Sequence, residues 1–169
     1  MTGWRLVLFC VLLWPAWLVG CDKAPALSPG TAPPPFQLED LQGKLRRFPE
    51  EGTQPPLVIR FWADWCPACR NEMTVLEQQF QQRKARGLRV LAINVGQDRA
   101  TAQRFVEERG LTFDILLDPD SRVAKQYGVV ALPTSYLIDK HGKIYKKILG
   151  ETAADLSAGL LDSLLETAP

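Results

Sequence analysis

Histidine occurs once in this chain, at His141, methionine twice, at Met1 and Met73, and cysteine four times, at Cys10, Cys21, Cys66 and Cys69. A structural zinc site closes on four ligands, and so few soft donors argue against one. An excess of either charge is lacking too, with 20 Lys and Arg against 19 Asp and Glu in 169 residues. No basic stripe offers itself to nucleic acid. There is no Gly-rich phosphate loop, so no nucleotide is implied, and no internal repeat. The longest apolar stretch, Leu6–Val19, is short for a bilayer span, which takes about 20 residues.

That stretch follows Arg5, is interrupted only by Pro15 and ends in small residues. These are the parts of a secretory signal peptide, expected over residues 1–20. Its end, Leu18-Val19-Gly20-Cys21, resembles the bacterial lipobox, which implies a lipidated Cys21 as the new N-terminus. Cys10 would be discarded, leaving Cys66 and Cys69 as the thiols. An uncleaved signal anchor would place the domain on the same side of the membrane. Asp22 resembles the inner-membrane retention signal of many Gram-negative lipoproteins. The expected location is the cell envelope, periplasmic or on the outer face of the cytoplasmic membrane.

Residues 21–35 carry five of the 13 prolines among Ala, Ser, Gly and Thr, and read as an extended, Pro-rich tether. Residues 36–169 suffice for one domain with one core. Phe36-Gln37-Leu38 and Leu45–Phe48, split by Gly43-Lys44, predict an N-terminal hairpin. Leu57–Ala63 is too apolar for a surface strand and reads as a buried central one. Cys69, Met73, Leu76 and Phe80 recur at helical spacing, so a helix is predicted from Pro67 to about Arg83. Pro67 suits its first turn, where a missing N–H costs nothing.

Downstream, Leu88–Asn94 reads as a strand, and Ala102, Phe105 and Val106 mark a helix that Gly110 ends. Phe113–Leu117 is a further strand, followed by Asp118-Pro119-Asp120-Ser121 as turn and cap, and a short helix to Tyr127. Thr134–Asp139 and Lys143–Leu149 pair across the turn Lys140-His141-Gly142, with His141 solvated there. Leu156, Leu160, Leu161, Leu164 and Leu165 form the apolar face of a last helix. Gln78–Gln82 with Arg83, Lys84 and Arg86 reads as a solvated helix end, and Met73 as core. The fold class is α/β, a central mixed sheet with helices on both faces.

The chemistry lies in Trp65-Cys66-Pro67-Ala68-Cys69, which follows the central strand directly. A Cys-x-x-Cys opening a helix can hold its thiols within disulfide reach, and reads as thiol–disulfide chemistry. The first sulfur meets the unpaired N–H groups of the helix N-terminus, which favour the attacking thiolate. Cys66 is therefore the expected nucleophile and Cys69, one turn in, the more buried resolving thiol. A merely structural bridge closing so small a loop would stabilise little.

Phe61-Trp62-Ala63-Asp64-Trp65-Cys66-Pro67-Ala68-Cys69, with Leu132-Pro133-Thr134 downstream, resembles the thioredoxin superfamily. The opening Phe36–Lys44 and the later Pro133–Asp139 are similar to its membrane-tethered TlpA/ResA branch, over essentially all of Phe36–Glu166. The resemblance implies a thioredoxin-like fold, a redox-active Cys66–Cys69 disulfide, a cis Pro133, and substrate binding by Trp65, Leu132 and Pro133. It also gives Glu72 an acid/base role toward the buried thiol. A plain solvated helix glutamate would fit the sequence as well.

The branch implies a reductant of protein disulfides of the cytochrome c maturation type. Its partners would be apocytochrome c cysteines and a transmembrane thiol electron donor. No metal or cofactor is expected, and a small neutral domain is most simply a monomer. A general periplasmic oxidant or isomerase would share every motif. A Cu(I)-transfer protein could use the same two thiolates. A peroxidase would want Thr or Ser where Ala63 stands, three residues before Cys66.

Two positions depart from the branch. Thr74 stands where Pro is common, which suggests a straighter helix. Arg60 stands in the central strand where an Asp or Asn is usual, and there it must find a partner or reach water. Glu72 or Asp64 are the expected partners.

Overall fold

The computed structural model describes residues 27–50, 56–150 and 156–166. The expected signal peptide, Cys21 and the first part of the tether lie outside the described residues. Among the described residues no helix is long and apolar enough to cross a membrane.

Leu57, Val58, Ile59, Phe61 and Trp62 make β3 (Leu57–Trp62) buried along its whole length. It is flanked on one side by the parallel strands β4 (Arg89–Val95) and then β5 (Asp114–Asp118). On the other side lie β6 (Thr134–Ile138) and β7 (Ile144–Leu149), both in antiparallel pairings. The expected N-terminal hairpin, β1 (Phe36–Asp40) with β2 (Leu45–Phe48), completes a seven-stranded mixed sheet of order β2-β1-β5-β4-β3-β6-β7. Strand β1 runs two residues beyond the expected Phe36–Leu38, because Glu39 and Asp40 pair with Leu117 and Leu116 of β5.

The helices are α1 (Pro67–Arg83), α2 (Arg99–Arg109), α3 (Arg122–Gln126) and α4 (Ala158–Glu166). Helix α1 runs without a break through Thr74. Asp98 caps α2 by accepting the Thr101 N–H at 2.8 Å, and Gly110 ends it with φ 58°, a left-handed conformation cheap only for glycine. The buried Asp118 carboxylate accepts the N–H groups of Val123 (3.1 Å) and Ala124 (2.8 Å) and so holds α3 against the end of β5. Burial pushes that carboxyl above its ordinary value, against the pull of those two donors.

Two apolar cores lie on the two sides of the sheet. One joins Trp62, Cys69, Met73 and Leu76 to Phe105, Leu161 and Leu164, so α1, α2 and α4 share it. The other gathers Phe36, Phe48, Ile59, Phe61, Val123, Tyr127 and Tyr136.

Two surface expectations change. Arg83, read as part of a solvated helix end, is buried and donates to Asp162 of α4 from Nε (3.0 Å) and Nη2 (2.9 Å). Arg86 pairs with the same carboxylate. The described part of the tether is also engaged. Gly30 N donates to Ile144 O and Ile144 N to Thr31 O, both at 2.8 Å. The Tyr127 hydroxyl donates to Pro34 O at 2.7 Å, and Leu27 packs against the second core.

Candidate active site

Strand β3 delivers the chain to Asp64-Trp65 and then to Cys66, which is the N-cap of α1. Its φ of −86° and ψ of 109° are extended, as an N-cap requires, and its Sγ accepts the Cys69 N–H at 3.2 Å. Pro67 begins the helix where no N–H is needed. Cys66 and Cys69 form a disulfide with their Cα atoms 5.3 Å apart. Cys66 is 4% exposed and Cys69 fully buried, the order expected for attacking and resolving thiols. Trp65 beside them is 66% exposed.

Thr134, the first residue of β6, pairs with Phe61 near the end of β3 from which the cysteine loop leaves. The Leu132–Pro133 peptide bond just before it is cis, and Pro133 O accepts the Gly150 N–H at 2.8 Å. The topology thus brings the Leu132–Pro133 turn and the disulfide to the same end of the sheet. Val130, 86% exposed, belongs to the same loop.

Beneath the disulfide, Glu72 lies one turn beyond Cys69 and is buried rather than solvated. Its Oε2 is paired with Arg60 Nη2, and Arg60 Nη1 donates to Ser135 Oγ at 3.0 Å. Arg60, 1% exposed, therefore joins β3, α1 and β6 at one point. Burial pulls its pKa down while Glu72 raises it. Asp64, the other expected partner, instead pairs with Arg70 at 2.9 Å near the surface.

The sequence reading did not anticipate the polar support of the cysteine loop. Gln97 Oε1 accepts both the Asp64 N–H (2.8 Å) and Asn94 Nδ2 (2.9 Å), fixing the loop to the end of β4. Nor did it anticipate Glu77, whose carboxylate accepts the N–H (2.9 Å) and hydroxyl (2.7 Å) of Thr112. The Gln97–Asp64 and Glu77–Thr112 contacts have no spacing signal, since each joins residues more than 30 positions apart. A helix-capping cysteine, a buried partner one turn on and a cis-proline strand beside them define a thioredoxin-like dithiol–disulfide site.

The description AhpC/TSA family matches residues 29–147. The thiol-disulfide oxidoreductase ResA of Geobacillus thermodenitrificans (strain NG80-2) is 37% identical over 125 residues, 74% of this chain and 71% of the relative. ResA of Bacillus subtilis (strain 168) is 32% identical over 149 residues, 88% of this chain and 83% of the relative. Among solved structures, the thiol:disulfide interchange protein DsbE from Chlorobium tepidum superposes with a TM-score of 0.74 at 30% identity. That match covers 84% of this chain and 98% of the other. The chain belongs to the AhpC/TSA family and, within it, to the ResA-like thiol-disulfide oxidoreductases.

Proposed function

We propose that the chain is an extracytoplasmic reductant of protein disulfides, held to a membrane by lipid on Cys21. The observation that carries the direction of attack is Cys66 at the N-cap of α1, less buried than Cys69. In the reduced protein the Cys66 thiolate attacks a substrate disulfide and forms a mixed disulfide, releasing one substrate thiolate that takes up a proton. Cys69, deprotonated, then attacks Cys66 Sγ. The second substrate thiol leaves, and two electrons have passed to the substrate while Cys66–Cys69 closes. Trp65 and the backbone of Leu132 and Pro133 receive the substrate chain. Glu72 acts on the protonation of Cys69 from one turn away.

The names of the ResA relatives support thiol–disulfide exchange. Reduction of apocytochrome c cysteines, with electrons from a transmembrane thiol carrier, extends that reading to a substrate and a donor. Ala63, three residues before Cys66, offers no hydroxyl for peroxide chemistry.

The deciding experiment is the reduction potential of Cys66–Cys69 in a fragment beginning at Lys23, by equilibration with glutathione or thioredoxin. A value well below about −200 mV, toward that of thioredoxin, fits a reductant. A value near about −120 mV, that of DsbA, would make the chain an oxidant and reverse the proposed flow.

A further inference from the structure

The Leu27–Pro35 segment fixes which end of the domain faces the anchor. Strand register sets the geometry. Phe61 pairs with Thr134 at the disulfide end, whereas Leu57 pairs with Ile138, and Ile138 with Ile144. Ile144 is the residue whose backbone binds Gly30 and Thr31. Gly30 and Thr31 are therefore tied to the sheet at the end opposite the disulfide, the length of β3 away, or about 16–20 Å.

Little chain is left beyond that point. Leu27 is packed against the domain, and six steps of chain separate it from Cys21. Even fully extended they span only about 20 Å. An anchor at Cys21 thus keeps Leu27, and with it the Gly30–Ile144 tie three residues on, within reach of the bilayer.

That end of the sheet carries the β6–β7 hairpin. Lys140, Lys143 and Lys146 stand on it beside His141, and Lys143, Lys146 and His141 are exposed. Lys147 turns away, over the Tyr136 ring at 5.2 Å. The one acid of the hairpin, Asp139, accepts the N–H groups of His141 and Lys143, both at 2.9 Å. Beside the turn is a cleft of about 240 Å³ lined by Ala32, Pro33, Phe48 and Pro49 together with His141 and Lys143. Apolar residues beside exposed lysines suit anionic lipid headgroups.

We propose that this hairpin is a bilayer-facing surface, with Lys143 and Lys146 against anionic headgroups and the disulfide turned outward. The inference rests on the lipid anchor proposed above. It requires an electron donor or substrate to present its thiols clear of the headgroups.

The test uses the full, lipidated chain in vesicles containing phosphatidylglycerol, with a nitroxide quencher on the headgroups. The expected result is that the tryptophan fluorescence that His141→Trp adds over the unsubstituted protein falls several-fold, while that of the unsubstituted protein, reporting Trp65 and Trp62, is unchanged. Adding Lys143→Glu and Lys146→Glu should abolish the quenching while the protein still floats with the vesicles. Equal fluorescence loss in the unsubstituted protein, or none in His141→Trp, overturns the orientation. Quenching that survives both Lys→Glu changes overturns the role of the lysines. Failure of the chain to float, with no lipid mass on its N-terminal peptide, removes the anchor itself and is read separately from either.

Discussion

Arg60 and Glu72 form an ion pair inside the domain, the guanidinium from the central strand and the carboxylate from the helix that Cys66 caps. Taking one partner away leaves the other charged and dry, which costs about 3–5 kcal/mol in buried pairs, whereas exchanging both for apolar groups is close to neutral. Arg60→Met alone should therefore destabilise the domain by about 3–5 kcal/mol, and Arg60→Met with Glu72→Leu should recover most of it. Urea midpoints of the three proteins decide this. Equal loss in single and double variants would show that the pair does not act as a unit.

Glu72→Gln should also change the pH profile of thiol alkylation in the reduced protein, since the charge one turn from Cys69 is gone. A superimposable profile would leave Glu72 a structural partner of Arg60 and nothing more.

Replacing Cys69 with Ser should leave Cys66 able to attack but unable to be released. Incubation with an oxidised peptide should then accumulate a mixed disulfide at Cys66, visible as added mass under non-reducing conditions. Cys66→Ser should accumulate none. The reverse pattern would exchange the two roles.

Acid should weaken the domain partly through Glu50. Hydrogen bonds from Arg89 and Arg46 hold its carboxyl at about 2, below the ordinary 4.5. A carboxylate depressed in the folded state contributes stability above its unfolded pKa and loses it as pH falls through the folded one. Glu50→Gln should thus flatten the fall in stability between pH 4.5 and about 2, by lowering stability at neutral pH and leaving it nearly unchanged at the acid end. The side chain is partly exposed, so the change will be modest. Urea midpoints across that window, with an unaltered slope for the variant, would refute the assignment.

Asp118→Ala should remove the acceptor of the Val123 and Ala124 N–H groups. A lost hydrogen bond to a charged group, with buried donors left over, costs about 1.5–3 kcal/mol. Amide exchange should quicken first in α3. Unchanged protection there would mean that water replaces the carboxylate without cost.

Local pattern made the site-bearing half of the fold legible. Leu57–Ala63 and Pro67–Arg83 carry their structures in apolar runs and helical spacing, and the structure places β3 and α1 there. Arg60 was legible as a charge needing a partner, because no arginine sits in a buried strand alone. Arg83 was not, since a basic residue at a helix end looks solvated until its partner Asp162, 79 positions on, is known to fold back onto it. The turn and cap Asp118-Pro119-Asp120-Ser121 was legible, with Ser121 at the N-cap of α3 in a left-handed φ of 57° and Asp118 accepting the Val123 and Ala124 N–H groups. Residues 30–35 failed for a different reason. Their ties to Ile144, Tyr127 and Gln126 run through backbone groups of the segment, which composition does not encode.

Those ties bear on where the gene is cut for recombinant work. A fragment begun at Phe36 looks tidy by composition, yet it discards the partner of the Tyr127 hydroxyl and bares apolar surface that Leu27 otherwise covers. Its yield and solubility would then report on the cloning boundary and not on the enzyme.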